Sequence, residues 1–359
     1  MPRIVIRPQW IVESEDGKKL PPILFNLLEA IQATEKLTSA SRQIGVSYRH
    51  AWNLIEHCHQ FFGTPLVALQ RGQGAQLTLL GEKLVWAERR TRARLSPHVE
   101  SLASEINLEL SQLLATRPDA LRIHASHGFA VAVLPELMSS EMQVQVDLRF
   151  MGSVEALASL QHRHCEFAGF HLAEGGLGSE LVGRYGPLLQ SDAHRFIHLV
   201  RRVQGLYVAK GNPKKIRTLS DLGRDDIRII NRQQGSGTRI LFDHLLLHAG
   251  LQGNLIKGYQ SEEFTHAAVA AYVASGVADA GFGVEPPARQ FGMDFIPVAS
   301  ENYFLACDAQ KLKEPGGAKL HSLLSGDSFR QTVKKLPGYD ASLAGHVLTA
   351  TDIARSLHG

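Results

Sequence analysis

The residues with the clearest chemical purpose lie in the stretch "NRQQGSGTRILFDHLL", 231–246. The preceding "IRII" has the apolar character of a buried strand, and Ile240, Leu241, Leu245 and Leu246 then recur at helical spacing. Between them lies a loop of small residues, Gly235, Ser236, Gly237 and Thr238, flanked by Arg232 and Arg239. Such a loop leaves backbone N–H groups free at a helix N-terminus, an arrangement suited to holding an anion. "GSGTR" lacks the Lys-Ser/Thr of a phosphate-binding P-loop. "HRHC" at 162–165 and "HCH" at 57–59 have no partner pair at zinc spacing, so no metal is expected. Ser126 and His127 are neighbours without an identifiable orienting acid, so a hydrolase is not expected and the chain reads as a non-enzyme.

The elements that must position this loop come from an alternating pattern beginning at Leu121. "LRIHAS" reads as a strand, "GFAVAVLPELMS" as a helix, "QVQVDLRFMGS" as a strand, "VEALASLQ" as a helix and "CEFAGFHL" as a strand. That alternation predicts a parallel sheet covered by helices, with ligands bound beyond the carboxyl ends of its strands. The loops at those ends carry Ser126-His127-Gly128, Gly152-Ser153 and Gly169-Phe170-His171. Farther on, "RFIHLVRRVQGLYV" predicts a long strand, "TLSDLG" a helix start, and Ser261 the cap of a helix through "SEEFTHAAVA". "LHSLLSGDSFRQTVKKLPGYD", 320–340, reads as a closing helix.

Residues 21–62 read instead as three helices in quick succession. Ile23, Leu27, Ala30 and Ile31 stripe the first, and Thr38 or Ser39 is the expected N-cap of the second, which Gly45 stops. The third starts after Ser47 and buries Ala51, Leu54, Ile55, Cys58 and Phe62. This is helix-turn-helix spacing. In that geometry Tyr48, Arg49, His50 and Asn53, with Trp52 beside them and Ser47 at the helix start, meet base edges and phosphates. Arg and Asn read guanine and adenine through paired hydrogen bonds. "LVALQRGQGAQLTLLG", 66–81, adds two short strands around a turn with Arg71 at its tip, a wing placed against the DNA backbone. A long helical stretch over 78–115 follows. Leu95, Val99, Leu102, Ile106 and Leu113 form a heptad-like seam, and Pro97 predicts two helices or a kink.

"GVSYRHAWNLIEHCHQFFGTPLV" followed by "RGQGAQLTLLGEKL" resembles the winged helix-turn-helix of molybdate-responsive regulators and, more distantly, that of LysR-type regulators. The likeness implies a double-stranded DNA operator bound by a homodimer or homotetramer, with Tyr48, Arg49 and Asn53 reading bases and Arg71 on the backbone. "KGNP", "NRQQGSGTR", "THAAVAAYVASGVADAGFG" and "DFIPVASENYFL" resemble the type 2 periplasmic-binding-protein fold, in the form fused to regulators and to molybdenum-cofactor biosynthesis proteins. That resemblance implies two lobes joined by crossovers near 200–206 and 296–304. It also implies a dianion held by neutral donors, here Ser126, Ser153, Ser236, Gly237 and Thr238. Glu262 and Glu263 depart from a simple oxyanion site. Glu263 pointing inward would suit a larger ligand such as a molybdenum cofactor, or formate.

The fold expected is a multidomain α/β chain. It comprises a winged helix-turn-helix over 1–85, a helical dimerisation linker over 86–117, and a two-lobed sensor over 118–359. Lobe I takes 118–202 and 300–359, and lobe II takes 203–299. The chain has 359 residues, is 44% hydrophobic and carries a formal net charge of only +3. Any nucleic acid must therefore meet a local patch and not a global field. Three cysteines without paired spacing, no secretory signal at the start and no membrane-length apolar run fit a cytoplasmic location. The function expected is a transcription regulator sensing a small anion, molybdate or tungstate or formate, with no covalent cofactor. A molybdenum-cofactor-binding or biosynthetic protein is the alternative.

Overall fold

The computed structural model describes residues 4–70, 74–114, 120–175, 178, 185 and 193–356. Its contacts divide the chain into one unit of Arg7–Leu95 and another of Met1–Ile6 with Ser96–Gly359. The division falls inside one helix, Leu79–Leu114, which contains Pro97 without interruption. The stretch expected to form two helices or a kink there is one helix.

The Arg7–Leu95 unit opens with a hairpin of β1 (Val12–Glu13) and β2 (Lys19–Leu20). Helix α1 (Ile23–Thr34) turns Leu24, Leu27, Leu28 and Ile31 inward and ends on Glu35, which takes a left-handed conformation. Helix α2 (Leu37–Gln43) begins one residue before Thr38, so neither Thr38 nor Ser39 caps it; Lys36 stands at that position without a side-chain bond. Gly45, at φ +74°, supplies the turn to helix α3 (Tyr48–Phe62). Ser47 caps α3 by accepting a hydrogen bond from the His50 N–H at 3.1 Å. Ala51, Leu54, Ile55 and Cys58 are buried, and Leu54 and Ile55 pack with Leu28, Leu66 and Val85.

Strands β3 (Val67–Gln70) and β4 (Gly74–Leu77) pair antiparallel as the wing; Arg71 lies outside the described residues. Gly74 sits at φ +100°, and a Cβ there would approach the Glu35 carbonyl oxygen to 2.2 Å. Ala75 donates to that same carbonyl. Gly74→Ala is therefore expected to detach the wing from α1 and destabilise this unit by about 2 kcal/mol, through strain and a lost backbone hydrogen bond. Urea denaturation of the full chain would show this as an earlier first transition.

The larger unit is built on β5 (Leu121–Ala125), β6 (Val146–Phe150), β7 (Phe167–Ala173), β8 (His194–Val208), β9 (Ile229–Arg232), β10 (Glu262–Glu263), β11 (Ala280–Val284) and β12 (Asp294–Asp308). Their order in the sheet is β10-β9-β11-β8-β12-β7-β5-β6. Strands β5, β6 and β7 are parallel, as are β9, β10 and β11. The 15-residue strands β8 and β12 pair with each other antiparallel and serve both halves of the sheet. One carries the chain out of the first lobe and the other carries it back, which imposes opposite directions. Short strands β13 (Tyr339–Asp340) and β14 (Val347–Leu348) pair with β8. Separate apolar cores, around Phe167, Leu199 and Leu305 and around Leu206, Ile229 and Phe242, fill the two lobes.

Several local expectations change. The helix after β5 is broken at Val133 into Phe129–Ala132 and Leu134–Met142, where Pro135 suits a new first turn. "TLSDLG" forms one 3₁₀ turn, Leu219–Gly223, and the closing region is two helices, Pro315–Ser325 and Asp327–Val333, separated by Gly326. Ser261 is not a cap. Glu262–Glu263 pair with β9, and the helix starts at His266 under the Thr265 hydroxyl, which accepts from Ala268 N–H at 2.9 Å. No described helix is long and apolar enough to cross a membrane.

Candidate functional site

The cleft between the lobes collects side chains from both of them. From the first lobe come Ser126 and His127 after β5, Ser153 at the start of the helix Ser153–Gln161, and His171 on β7. From the second come Arg232 at the end of β9, the Gly235–Thr238 loop, and His266. The two sets touch. A Cβ built on Gly237 would stand 3.5 Å from both His171 Nδ1 and Ser153 Oγ, and one on Gly152 would stand 3.4 Å from the Gly235 carbonyl. The helices beginning at Ser153 and Gly237 thus present their first-turn N–H groups to one place, where no intrahelical acceptor exists for them.

His171 is the organising ring of this place. Its Nδ1 lies 3.0 Å from Ser126 Oγ and 3.5 Å from Ser153 Oγ, and its ring centroid is 4.1 Å from that of Tyr303, edge on. Tyr303 in turn donates to the Ser126 carbonyl at 2.9 Å, fixing the loop that carries the serine. A neutral imidazole that accepts from Ser126 at Nδ1 carries its proton on Nε2, and that atom is buried without a partner.

Four more nitrogens share this condition: Nδ1 of His127, Nδ1 of His266, and Nη1 of both Arg202 and Arg232. Burial, then Arg232 and Arg202, pushes His127 down to about 3. Burial and the same two arginines hold His171 and His266 well below the ordinary histidine range. Burial also pushes the Arg232 guanidinium down to about 10. Burial acts in the same direction on Arg202, but Glu301 at 2.5 Å overcomes it and keeps that guanidinium above its usual value. Unpartnered buried polar atoms are rare in folded proteins because each costs about 1–3 kcal/mol. Five of them belong to residues that the two lobes bring to this cleft.

The expected donors divide. Thr238 is buried, and its hydroxyl oxygen accepts from Gln204 Nε2 at 3.2 Å, so its own proton is free to point elsewhere. Ser236 is the N-cap of the helix Gly237–His248: it accepts from Arg239 N–H at 3.2 Å and donates to the Gln233 carbonyl at 3.0 Å. Its hydroxyl is engaged within its own helix cap. Gly235, at φ +79°, makes the turn that aims the loop. Arg239 has partners of its own on the second lobe. It binds Asp243 and Glu262, reaches the Arg232 carbonyl, and lies 4.3 Å over the Tyr259 ring. That network holds the guanidinium on the second lobe. Glu262 faces Arg239, whereas Glu263 is buried on β10 in register with Arg232.

Reading the sequence missed Arg202, Gln204, Glu301 and Tyr303. All lie on the crossover strands, where Arg202 and Glu301 are register partners. Gln204 Nε2 joins Glu301, at 2.6 Å, to Thr238. The signal available was a strand too apolar for its charges, "HLVRRVQGLYV", which must bury one arginine of the pair. Among the described residues, no three His, Cys, Asp or Glu side chains are grouped to hold a metal ion.

Residues 134–325, more than half of the chain, match the PBP superfamily domain. The chain belongs to the PBP superfamily. Within that PBP superfamily domain lie Ser153, His171, Arg202, Arg232, His266 and Glu301, while Ser126 and His127 precede it. YvgK of Bacillus subtilis (strain 168), an uncharacterised protein, is 32% identical over 227 residues, which are 63% of this chain and 73% of that one. The molybdenum-pterin-binding protein MopB of Rhodobacter capsulatus is 28% identical over 143 residues, 39% of this chain and 52% of that one. Full-length HypT of Salmonella typhimurium, a hypochlorite-specific LysR-type transcriptional regulator, has a TM-score of 0.46 at 14% identity, covering 84% of this chain and 96% of that one.

Proposed function

We propose that this chain is a DNA-binding transcription regulator whose PBP superfamily domain senses a small anion. The observation that carries the reading is the convergence of five unpartnered buried nitrogens in a cleft that both lobes line. An anion there offers acceptors to groups of both lobes and so joins them. By binding the closed arrangement more tightly than an open one, it shifts the balance between them. A difference of a few kcal/mol suffices for the switch. The likeness to a molybdenum-pterin-binding protein favours molybdate or tungstate over formate as the effector.

The DNA-binding half of the reading is supported by α3. Ser47 caps it, and Tyr48, Arg49, His50, Trp52 and Asn53 are all exposed at its start, with the rings of Tyr48 and Trp52 stacked at 6.4 Å. Leu95 and Leu102, seven apart on the helix Leu79–Leu114, are exposed and support pairing of two copies along it. Affinity selection of genomic DNA with the full chain tests this. A dyad-symmetric site is expected, and Arg49→Ala or Asn53→Ala should each weaken it by about 10- to 100-fold while leaving non-specific binding nearly unchanged. Equal affinity of the wild-type chain for selected and unrelated duplexes at physiological salt would sink the regulator reading.

A further inference from the structure

Residues 96–114, the part of the long helix that belongs to the larger unit, meet an edge of its sheet. Strand β6 is last in the sheet order, so every second N–H along it faces outward from the ladder. Two of these reach the helix. Leu148 N–H donates to Ser104 Oγ at 3.2 Å, and Phe150 N–H donates to Ser101 Oγ at 3.3 Å. Ser104 also donates to the buried Asp147 carboxylate at 3.2 Å. One turn earlier, the His98 ring stands edge-on to Phe264, with centroids 6.1 Å apart. His98, Ser101 and Ser104 recur every third residue and so share one side of the helix. Phe264 directly follows β10, the strand at the other end of the sheet order. The helix therefore bridges the outermost strands of the two lobes. Covering a strand edge accounts for the two serines, but not for the contact with the second lobe.

Both attachment points border the cleft. The Phe150 ring is 4.8 Å from that of His127, and Gly152 and Ser153 follow close behind it in the chain. Phe264 precedes Thr265, the cap of the helix that begins with His266. We propose, on the anion-sensing reading above, that this side of the helix reads the arrangement of the lobes. Side-chain hydrogen bonds to main chain and carboxylate tie it to the first lobe, whereas a ring contact meets the second. Rotating the lobes apart draws Phe264 away from His98 and leaves the serine bonds in place, so the ring contact belongs to the closed arrangement. An anion that joins the lobes holds this contact, and the contact in turn adds to anion affinity. The helix runs unbroken back to Leu79, which carries the state of the cleft out of the sensor.

The test is hydrogen exchange of the full chain, read by mass spectrometry with and without molybdate, tungstate, sulfate and formate, beside calorimetric titration with each. An anion that binds is expected to slow exchange over residues 96–107 by about three- to tenfold, although these residues do not line the cleft. Ser101→Ala with Ser104→Ala keeps the helix, since alanine favours it. This double variant should bind the anion within about threefold of the wild-type affinity yet lose the slowing over 96–107. Without ligand, its β6 peptides should exchange faster than those of the wild type. Phe264→Ala should weaken anion binding by about three- to tenfold, the worth of an aromatic pair. Slowing over 96–107 retained in the serine variant, or unchanged affinity in Phe264→Ala, would overturn the inference and leave the anion site standing. So would a wild-type chain that binds an anion with no change over 96–107. Silence for all four anions would remove the anion site and the inference with it.

Discussion

Arg232→Met is expected to weaken anion binding by about 100-fold and at the same time to raise the melting temperature of the ligand-free protein. The two effects share one cause. Arg232 is 5% exposed, its Nη1 has no hydrogen-bond partner among the described residues, and its Nε donates to Gln233 at 3.1 Å. Burial pushes this guanidinium down to about 10, so its charge is costly in the folded protein. Methionine fills a similar volume without the desolvation cost, which should stabilise the free chain by about 1–3 kcal/mol. The bound anion loses a buried guanidinium that faces it, worth about 3 kcal/mol in an enclosed site. Thermal melts with and without saturating molybdate measure both at once. A wild-type protein that melts lower than the variant when empty and higher when loaded would establish the trade. A variant that is less stable without ligand would mean that Arg232 holds the fold and not the effector.

The parts of this site legible in the sequence are those made by local rules. Gly235-Ser236-Gly237 must break a strand and start a helix, so the loop and its position were readable, as were Ser126 and Ser153 beyond strand ends, whereas His171, expected in a loop, lies inside β7. What local rules could not give is which hydroxyl remains free once the helix has taken its cap. Ser236 is consumed in this way, while Thr238 is freed because Gln204, 34 residues away, donates to it. The same limit explains the misplaced cap at Ser261. The local pattern allowed a helix there, but pairing of Glu262 with Asn231 and Glu263 with Arg232 extends the sheet and delays the helix to His266. The hinge was the least legible. Adjacent Arg201 and Arg202 point to opposite sides of β8, and sequence gives no parity. Only the partner strand decides, by setting Arg202 opposite Glu301 and leaving Arg201 to Glu174 near the surface.

That hinge pair carries the last and largest stability effect. Glu301→Gln is expected to destabilise the larger unit by about 3–5 kcal/mol, because it leaves the Arg202 guanidinium, 1% exposed, without its countercharge. Adding Arg202→Met should restore most of the loss, since a methionine beside a glutamine leaves no isolated charge. The double variant then separates folding from coupling. In the wild type, Glu301 accepts from Arg202 on one crossover strand and from Gln204, which reaches Thr238 at the ligand loop. A folded double variant that still binds anion but no longer changes its DNA affinity on binding would make this chain the route from cleft to hinge. Retained ligand response would confine the pair to holding the two strands together. The discriminating readout is the ratio of operator affinities with and without anion, which a purely structural pair would not move.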